Sequence, residues 1–225
     1  MSEQYNDILM KIEQDVKNDS GTDLYRYKGL LEAIRFFSNR LTLKQITDAA
    51  FDFVNEMLTV EKTALFTLKD DRFELAKKRG IQPISSHVEV TPELSEYVLF
   101  VGNVLWGRDS LDNYFDPTIL DALDASVMIP LAIENKLYGF FLLSQKISAP
   151  FNENDILVCE TLMNLFNNSL QSTSRLEQLQ ASNHELDEKV FNLFAINQSA
   201  KAMLTEHKLD QLFKLAVDVF SELTQ

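Results

Sequence analysis

The last 75 residues of this chain, Phe151 to Gln225, contain neither glycine nor proline, and a heptad pattern runs through them. Leu176, Asn183, Val190, Asn197 and Leu204 fall seven apart, with Leu179, Leu186, Leu193 and Ala200 at the matching second core position. Such a stretch reads as one long helix with an apolar stripe that a lone helix leaves bare. The stripe asks for a partner, and a second copy of the chain satisfies it as a parallel coiled coil. Asn183 and Asn197 occupy first core positions, where a buried amide costs stability but favours two strands in register by pairing with its twin. From Leu176 to Leu204 the helix spans about 43 Å at ~1.5 Å per residue.

Ahead of that helix, the chain is long enough for one domain with a real core: 45% of its 225 residues are apolar, and sixteen are phenylalanine. The formal net charge of −13 argues against nucleic-acid binding, which needs clustered Lys and Arg. Lys77, Lys78 and Arg79 form the only tight basic run, and a solvated strand end accounts for it. A single cysteine, Cys159, excludes an intrachain disulfide and suits a reducing cytoplasm. The polar, acidic first residues do not resemble a signal peptide, and runs such as Leu137 to Leu143 fall far short of a membrane span. The expected location is the cytoplasm, without membrane contact by this segment.

Periodicity orders the rest. Tyr5, Ile8, Leu9, Ile12 and Val16 predict an amphipathic helix within 1–21, closed by Gly21, with Thr22 capping the next. That second helix carries Leu24, Leu30, Leu31, Ile34 and Phe37; Thr42 caps a third, carrying Ile46, Ala50, Phe53, Val54 and Met57. From Glu61 the period becomes two, predicting a strand through Leu68, a turn at Asp70-Asp71 and a return strand over Arg72 to Lys78. Residues 81–114 give mixed signals: a helix from Pro92 to about Val101, then a short strand at Val104-Leu105-Trp106. A short helix follows from Pro117 through Asp124. Ser126 to Ile133 and Leu137 to Gln145 are strands apolar on both sides, so both sheet faces need cover. Pro130 should sit at a sheet edge or a bulge, having no amide hydrogen. Asn152 or Asn154 caps the last helix, whose seam weakens around Ser169 and Ser172.

The sequence also echoes itself. Leu43, Gln45, Ala50, Asp52 and Glu56 return as Leu209, Gln211, Ala216, Asp218 and Glu222, all at an offset of 166. Residues 207–225 therefore read as the first helix of a second, truncated copy, and the chain as part of a longer protein. The alternative is a complete short protein with a helical tail.

The order helix, strand pair, variable middle, strand pair, long helix resembles a GAF domain over about 22–172. Ile129-Pro130-Leu131 resembles the family's aliphatic-proline-leucine strand, Gly139-Phe140-Phe141-Leu142 its glycine-hydrophobic strand, and Phe151 with Asp155 its F-x-x-x-D entry to the last helix. The heptad segment over 173–206 resembles the signalling helices that link such modules. The resemblance implies an α+β fold: a central antiparallel sheet of about six strands with helices on both faces. One helical face would mediate dimerisation and the other would hold a small-molecule pocket.

It does not fix a ligand, and the cofactor stays unknown. Cyclic-nucleotide-binding members carry an N-K…F-x-x-x-D-E pattern, whereas Gln145-Lys146 and Asp155-Ile156 lack its asparagine and glutamate. Cys159 faces the core by spacing, which is wrong for bilin attachment. His87 could ligate haem but reads as a surface residue in a loop, and His184 and His207 lie on the helical extension. No metal spacing, Walker loop or G-x-S-x-G is present, and the family's sulfoxide-reducing branch needs several cysteines, so no enzyme is expected.

Trp106, Arg108 and Asp109 are the leading pocket candidates, because an aromatic body beside a planar cation clamps a flat or anionic ligand. The competing reading makes Trp106 core and Arg108 with Asp109 a surface pair. Tyr97, Ser126 and Met128 are further candidates. Together these features describe a sensory and dimerisation module that relays a small-molecule signal through the coil, or alternatively a ligand-free scaffold aligning downstream domains.

Overall fold

A computed structural model describes residues 21–81, 87–134, 136–147, 149–205 and 217. The helices expected before residue 21 and in 207–225 lie outside the described residues. The chain divides into two compact units, Met1–Ser174 and Arg175–Gln225.

In the first unit, helices α1 (Gly21–Phe37) and α2 (Leu43–Leu58) precede a hairpin of β1 (Thr63–Lys69) and β2 (Arg72–Arg79). The middle runs β3 (His87–Val88), α3 (Pro92–Phe100), β4 (Leu105–Trp106), α4 (Arg108–Leu111) and α5 (Pro117–Leu123). A second hairpin of β5 (Ala125–Ile133) and β6 (Lys136–Ser144) leads to the long helix α6 (Glu153–Thr205). The six strands form one antiparallel sheet in the order β3-β2-β1-β6-β5-β4.

Local chemistry sets several boundaries. Thr42 opens α2 with a capping box: its hydroxyl accepts the Gln45 amide at 3.2 Å, and the Gln45 side chain accepts the Thr42 amide at 2.9 Å. Asn152 and Asp155 cap α6 reciprocally at 3.0 and 2.9 Å. Asp70 and Asp71, with φ of 48° and 62°, make the tight left-handed turn that suits a two-residue hairpin. The stop expected at Gly21 with a cap at Thr22 is corrected: both residues are helical. The buried face of Leu30, Ala33 and Phe37 anchors α1 and overrides the local break signal. His87, expected in a loop, pairs with Glu74 in β3.

Strand alternation sends side chains to two separate cores. Leu65, Val127, Ile129, Leu131, Phe141 and Leu143 face the layer of α1, α2 and the start of α6. Ala64, Phe66, Met128, Phe140 and Leu142 face the layer of α3 to α5. On that second side Phe140 touches the rings of Phe66, Phe73 and Phe115 with centroids 5.1–5.3 Å away. Gly139 is required where β6 crosses β1: a Cβ there would lie 2.4 Å from the Phe66 carbonyl oxygen.

Pro130 lies on β5 opposite Phe140, but β4 reaches only Val127 and Met128. The proline therefore sits on an open stretch of edge, beside a register shift at Leu131/Ala132, where its missing amide costs nothing.

Candidate functional site

The pocket candidates named above gather around β4. Pairing to β5 sets Leu105 opposite Met128 and Trp106 opposite Val127, and the Gly107 amide donates to the Ser126 carbonyl at 2.8 Å. Alternation buries Leu105 and leaves Trp106 45% exposed. Gly107, at φ +89°, turns the chain into α4. Arg108 then donates from Nε to Asp112 at 2.8 Å and from Nη2 to Asp121 at 2.6 Å. These two carboxylates raise the guanidinium pKa and occupy its fork, while Asp109 is exposed and takes no part in either pair.

Ser126 is buried with its hydroxyl 3.5 Å from the Leu143 carbonyl, and Met128 is fully buried in the second core. Tyr97 is half-buried, its ring 5.7 Å from that of Tyr114, and burial followed by that neighbour pushes its phenol above the ordinary value. The threonine hydroxyl at the start of α3, Thr91 Oγ1, is buried with no partner among the described residues. Among the described residues, the side of the sheet where a pocket was expected buries phenylalanines and aliphatic side chains, and Trp106 stays exposed.

Two shallow clefts lie instead along α2. One, of about 450 Å³, is lined by Phe51, Asp52, Asn55, Glu56, Thr59 and Arg79. The other, of about 360 Å³, has Phe36, Ala49 and Phe53 as its apolar floor and Asp48, Asp52 and Glu56 among its rim. Sequence reasoning missed this face, although the four-residue spacing of Asp48, Asp52 and Glu56 places the three carboxylates on one side of a helix. Lys77 pairs with Asp48 at 2.8 Å, and the Tyr25 hydroxyl donates to Glu56 at 3.1 Å.

At the junction of the strands with α6, the carboxylate of Asp155 is fully buried. Arg26 reaches one oxygen at 2.6 Å; Lys146 and the Asn152 amide take the other. Burial alone would raise its pKa; hydrogen bonds from Lys146, Asn152 and Arg26 outweigh it and hold the carboxyl below the ordinary range. One turn on, Cys159 is fully buried and its thiol is pushed up to about 12, chiefly by that burial. His87 and His184 are both exposed.

An antiparallel sheet enclosed by two helical layers and followed by a long helix defines a class of α+β modules. The chain belongs to the GAF domain family, whose model matches residues 42–172. No curated protein matches it. Among solved structures it is similar to the GAF domain of a phosphoenolpyruvate-protein phosphotransferase from Coxiella burnetii, at 18% identity and a TM-score of 0.51, over 71% of this chain and 99% of that one. The corresponding domain from Acinetobacter is 15% identical with a TM-score of 0.50, over 70% and 97%.

A third structure corrects one expectation. Free methionine-R-sulfoxide reductase from Neisseria meningitidis, solved with its substrate, has a TM-score of 0.50 at 14% identity, over 70% of this chain and 95% of that one. The same fold carries an enzyme there, so the expectation that this chain has no catalytic role does not stand. What misled the reading was reliance on short linear motifs, which say nothing of a site assembled from separate strands and loops. Among the described residues no helix is long and apolar enough to cross a membrane.

Proposed function

We propose that this chain is a homodimeric regulatory module, in which GAF domains are aligned in pairs by the heptad seam of α6. The observation that carries the proposal is exposure along that seam. Leu179, Leu186, Val190 and Leu193 are 57–66% exposed, and Leu176 is 37% exposed, at the spacing a partner helix covers. Asn183 and Asn197 lie exposed in the same line, where amide pairing favours a parallel two-stranded register. The buried phenylalanine cluster of the second core supports alignment of attached domains as the output, in a cytoplasmic protein whose partner is its own copy. Sedimentation of the full chain at tens of micromolar tests this: a dimer is expected, and monomer alone would remove the mechanism.

A second reading, small-molecule sensing, is favoured by the exposed ring of Trp106. In that reading a ligand displaces Asp112 or Asp121 from Arg108 and shifts helix packing, and it biases the pairing only as far as it prefers one packing over the other. Native mass spectrometry of protein purified from cells separates the readings, since a retained small molecule belongs only to the second.

A further inference from the structure

Phe36 and Phe37 are neighbours on α1 with different surroundings. Phe37 is buried, whereas Phe36 stays 38% exposed with its ring 6.0 Å from that of Phe53 on α2. With Ala49, these two rings floor the smaller of the two clefts, an open apolar groove between α1 and α2. Asp48, Asp52 and Glu56 border it as a ridge on α2, about 12 Å from end to end at ~1.5 Å per residue. Asp48 shares its charge with Lys77, and Glu56 accepts from the Tyr25 hydroxyl. Asp52, between them, is exposed with no ion pair among the described residues. Arg79 lines the neighbouring cleft and not this one, so the wall of the groove on the α1 side of the ridge carries no cation among the described residues.

A groove with an aromatic floor and one acidic wall selects by charge as well as by shape. A second copy of this chain is the wrong occupant. A two-fold contact through this face would set one carboxylate ridge against another, between molecules that each carry a net charge of −13. The two ends of the chain are acidic as well: residues 1–20 hold five carboxylates to two lysines, and residues 206–225 hold four to two. Complementarity therefore calls for a different protein.

We propose that the α1–α2 groove docks an amphipathic helix of another protein, its apolar face on Phe36, Ala49 and Phe53 and its Lys or Arg side chains, four residues apart, along Asp48, Asp52 and Glu56. Rows of side chains four apart are the ridges by which packed helices interdigitate, so a cationic row on the partner lies along the acidic row of α2. The module then has two surfaces with separate partners, the seam of α6 for its own copy and this groove for a basic protein.

Fluorescence anisotropy of a labelled synthetic helix tests this on the full chain. The probe carries leucines along one face and, beside them, lysines at three positions four apart; its counterpart has glutamate in place of each lysine. The lysine probe is expected to bind saturably and the glutamate probe not to bind. Asp52→Lys should weaken the lysine probe about tenfold, whereas Glu96→Lys, an equal change of charge at an exposed position of α3 in the opposite layer, should change it by less than about threefold. Phe36→Ser should weaken it at unchanged net charge, with thermal unfolding of each variant as the check on folding. The proposal is overturned if the lysine probe does not bind, if Asp52→Lys and Glu96→Lys weaken it equally, or if Phe36→Ser leaves it unchanged. It is also overturned if Asp52→Lys changes the self-association of the chain, which would make this face a contact between copies. Anisotropy reads the groove in monomer and dimer alike, so this test and sedimentation of the seam can fail separately.

Discussion

Asn167 on α6 accepts the amide hydrogen of Ala132 at 2.9 Å, at the stretch of β5 that β4 does not reach. The outward-facing backbone groups of β5 are thereby used in turn. Ser126 accepts from Gly107, Pro130 has no amide to offer, and Ala132 is closed by a side chain. A proline and a side-chain bond to the next outward amide make this edge a poorer template for further strands. The same bond ties the domain end of α6 to the sheet, and Thr173 adds a second tie by donating to the Leu41 carbonyl at 3.0 Å.

Asn167→Ala leaves that amide without its acceptor and should destabilise the domain by about 1–2 kcal/mol. Asn167→Asp keeps an acceptor in place and should retain most of the stability. Urea denaturation of the three proteins at neutral pH measures both differences; equal midpoints for the alanine variant and the parent would show that the bond contributes nothing.

Asp155 gives a pH-dependent signature. Its folded pKa is lowered below the roughly 3.9 of an unfolded aspartate, so its contribution is complete above that value and is lost as pH falls through the folded one. Asp155→Asn leaves Lys146, with only 8% of its side chain exposed, without a counter-charge. Loss of about 3 kcal/mol is expected at pH 7, where the parent carboxylate is charged. The gap between parent and variant should begin to narrow below about pH 4 and go on narrowing as pH falls through the folded pKa. Thermal unfolding from pH 3 to 8 follows it, and a gap that stays constant with pH would assign the loss to shape instead of charge.

Much of this fold is legible in the sequence because its signals are local. Thr42 with Gln45, Asp70 with Asp71, and the period-two strands each state their structure within a few residues. The glycine-hydrophobic strand is legible too, and Gly139 is needed for a close approach to β1. What is not legible comes from distant contacts. Asn55 and Thr63 share a buried hydrogen bond of 2.7 Å that neither residue signals alone. His87 becomes a strand because β2 offers an edge, and Gly21 stays helical because its helix is anchored further along. The candidate site was legible only in part: β4 was expected, but nothing near Arg108 announces that Asp121 arrives from the next helix.

Cys159 should behave as an inert core residue. With its thiol fully buried and its pKa pushed up to about 12, almost no thiolate forms at neutral pH. A thiol-reactive dye is expected to label the native protein hundreds of times more slowly than the urea-unfolded chain, by the order of magnitude that burial and thiolate fraction imply. Stoichiometric labelling of the native state within minutes would place the sulfur at a surface.

The packing around Phe140 makes a prediction about the second core. Its ring is fully buried against three other phenylalanines, so Phe140→Ala should cost about 3–5 kcal/mol, whereas Phe140→Leu, which leaves a smaller void, should cost about half of that. If this side is a filled core, both losses appear equally in protein fresh from cells and in protein refolded from urea. A parent protein that is markedly more stable before refolding than after would mean that a small molecule had been lost from it.

The seam makes the most direct prediction. Leu186, 58% exposed in the single chain, would be buried twice in a parallel dimer, once from each copy. Leu186→Asp removes both contacts and sets two like charges side by side, at about 2 kcal/mol or more for each copy. Sedimentation equilibrium should show the dimer dissociation constant rising by about a thousandfold, because every 1.4 kcal/mol is a factor of ten. Glu185→Ala, one residue away and outside the seam, should leave that constant within about threefold, since it loses only an exposed pair with Lys189. Replacing Asn183 and Asn197 with isoleucine should strengthen association while admitting species larger than a dimer, because the amides that set two strands in register are gone. An association constant unchanged by Leu186→Asp would place any interface between copies elsewhere on the domain.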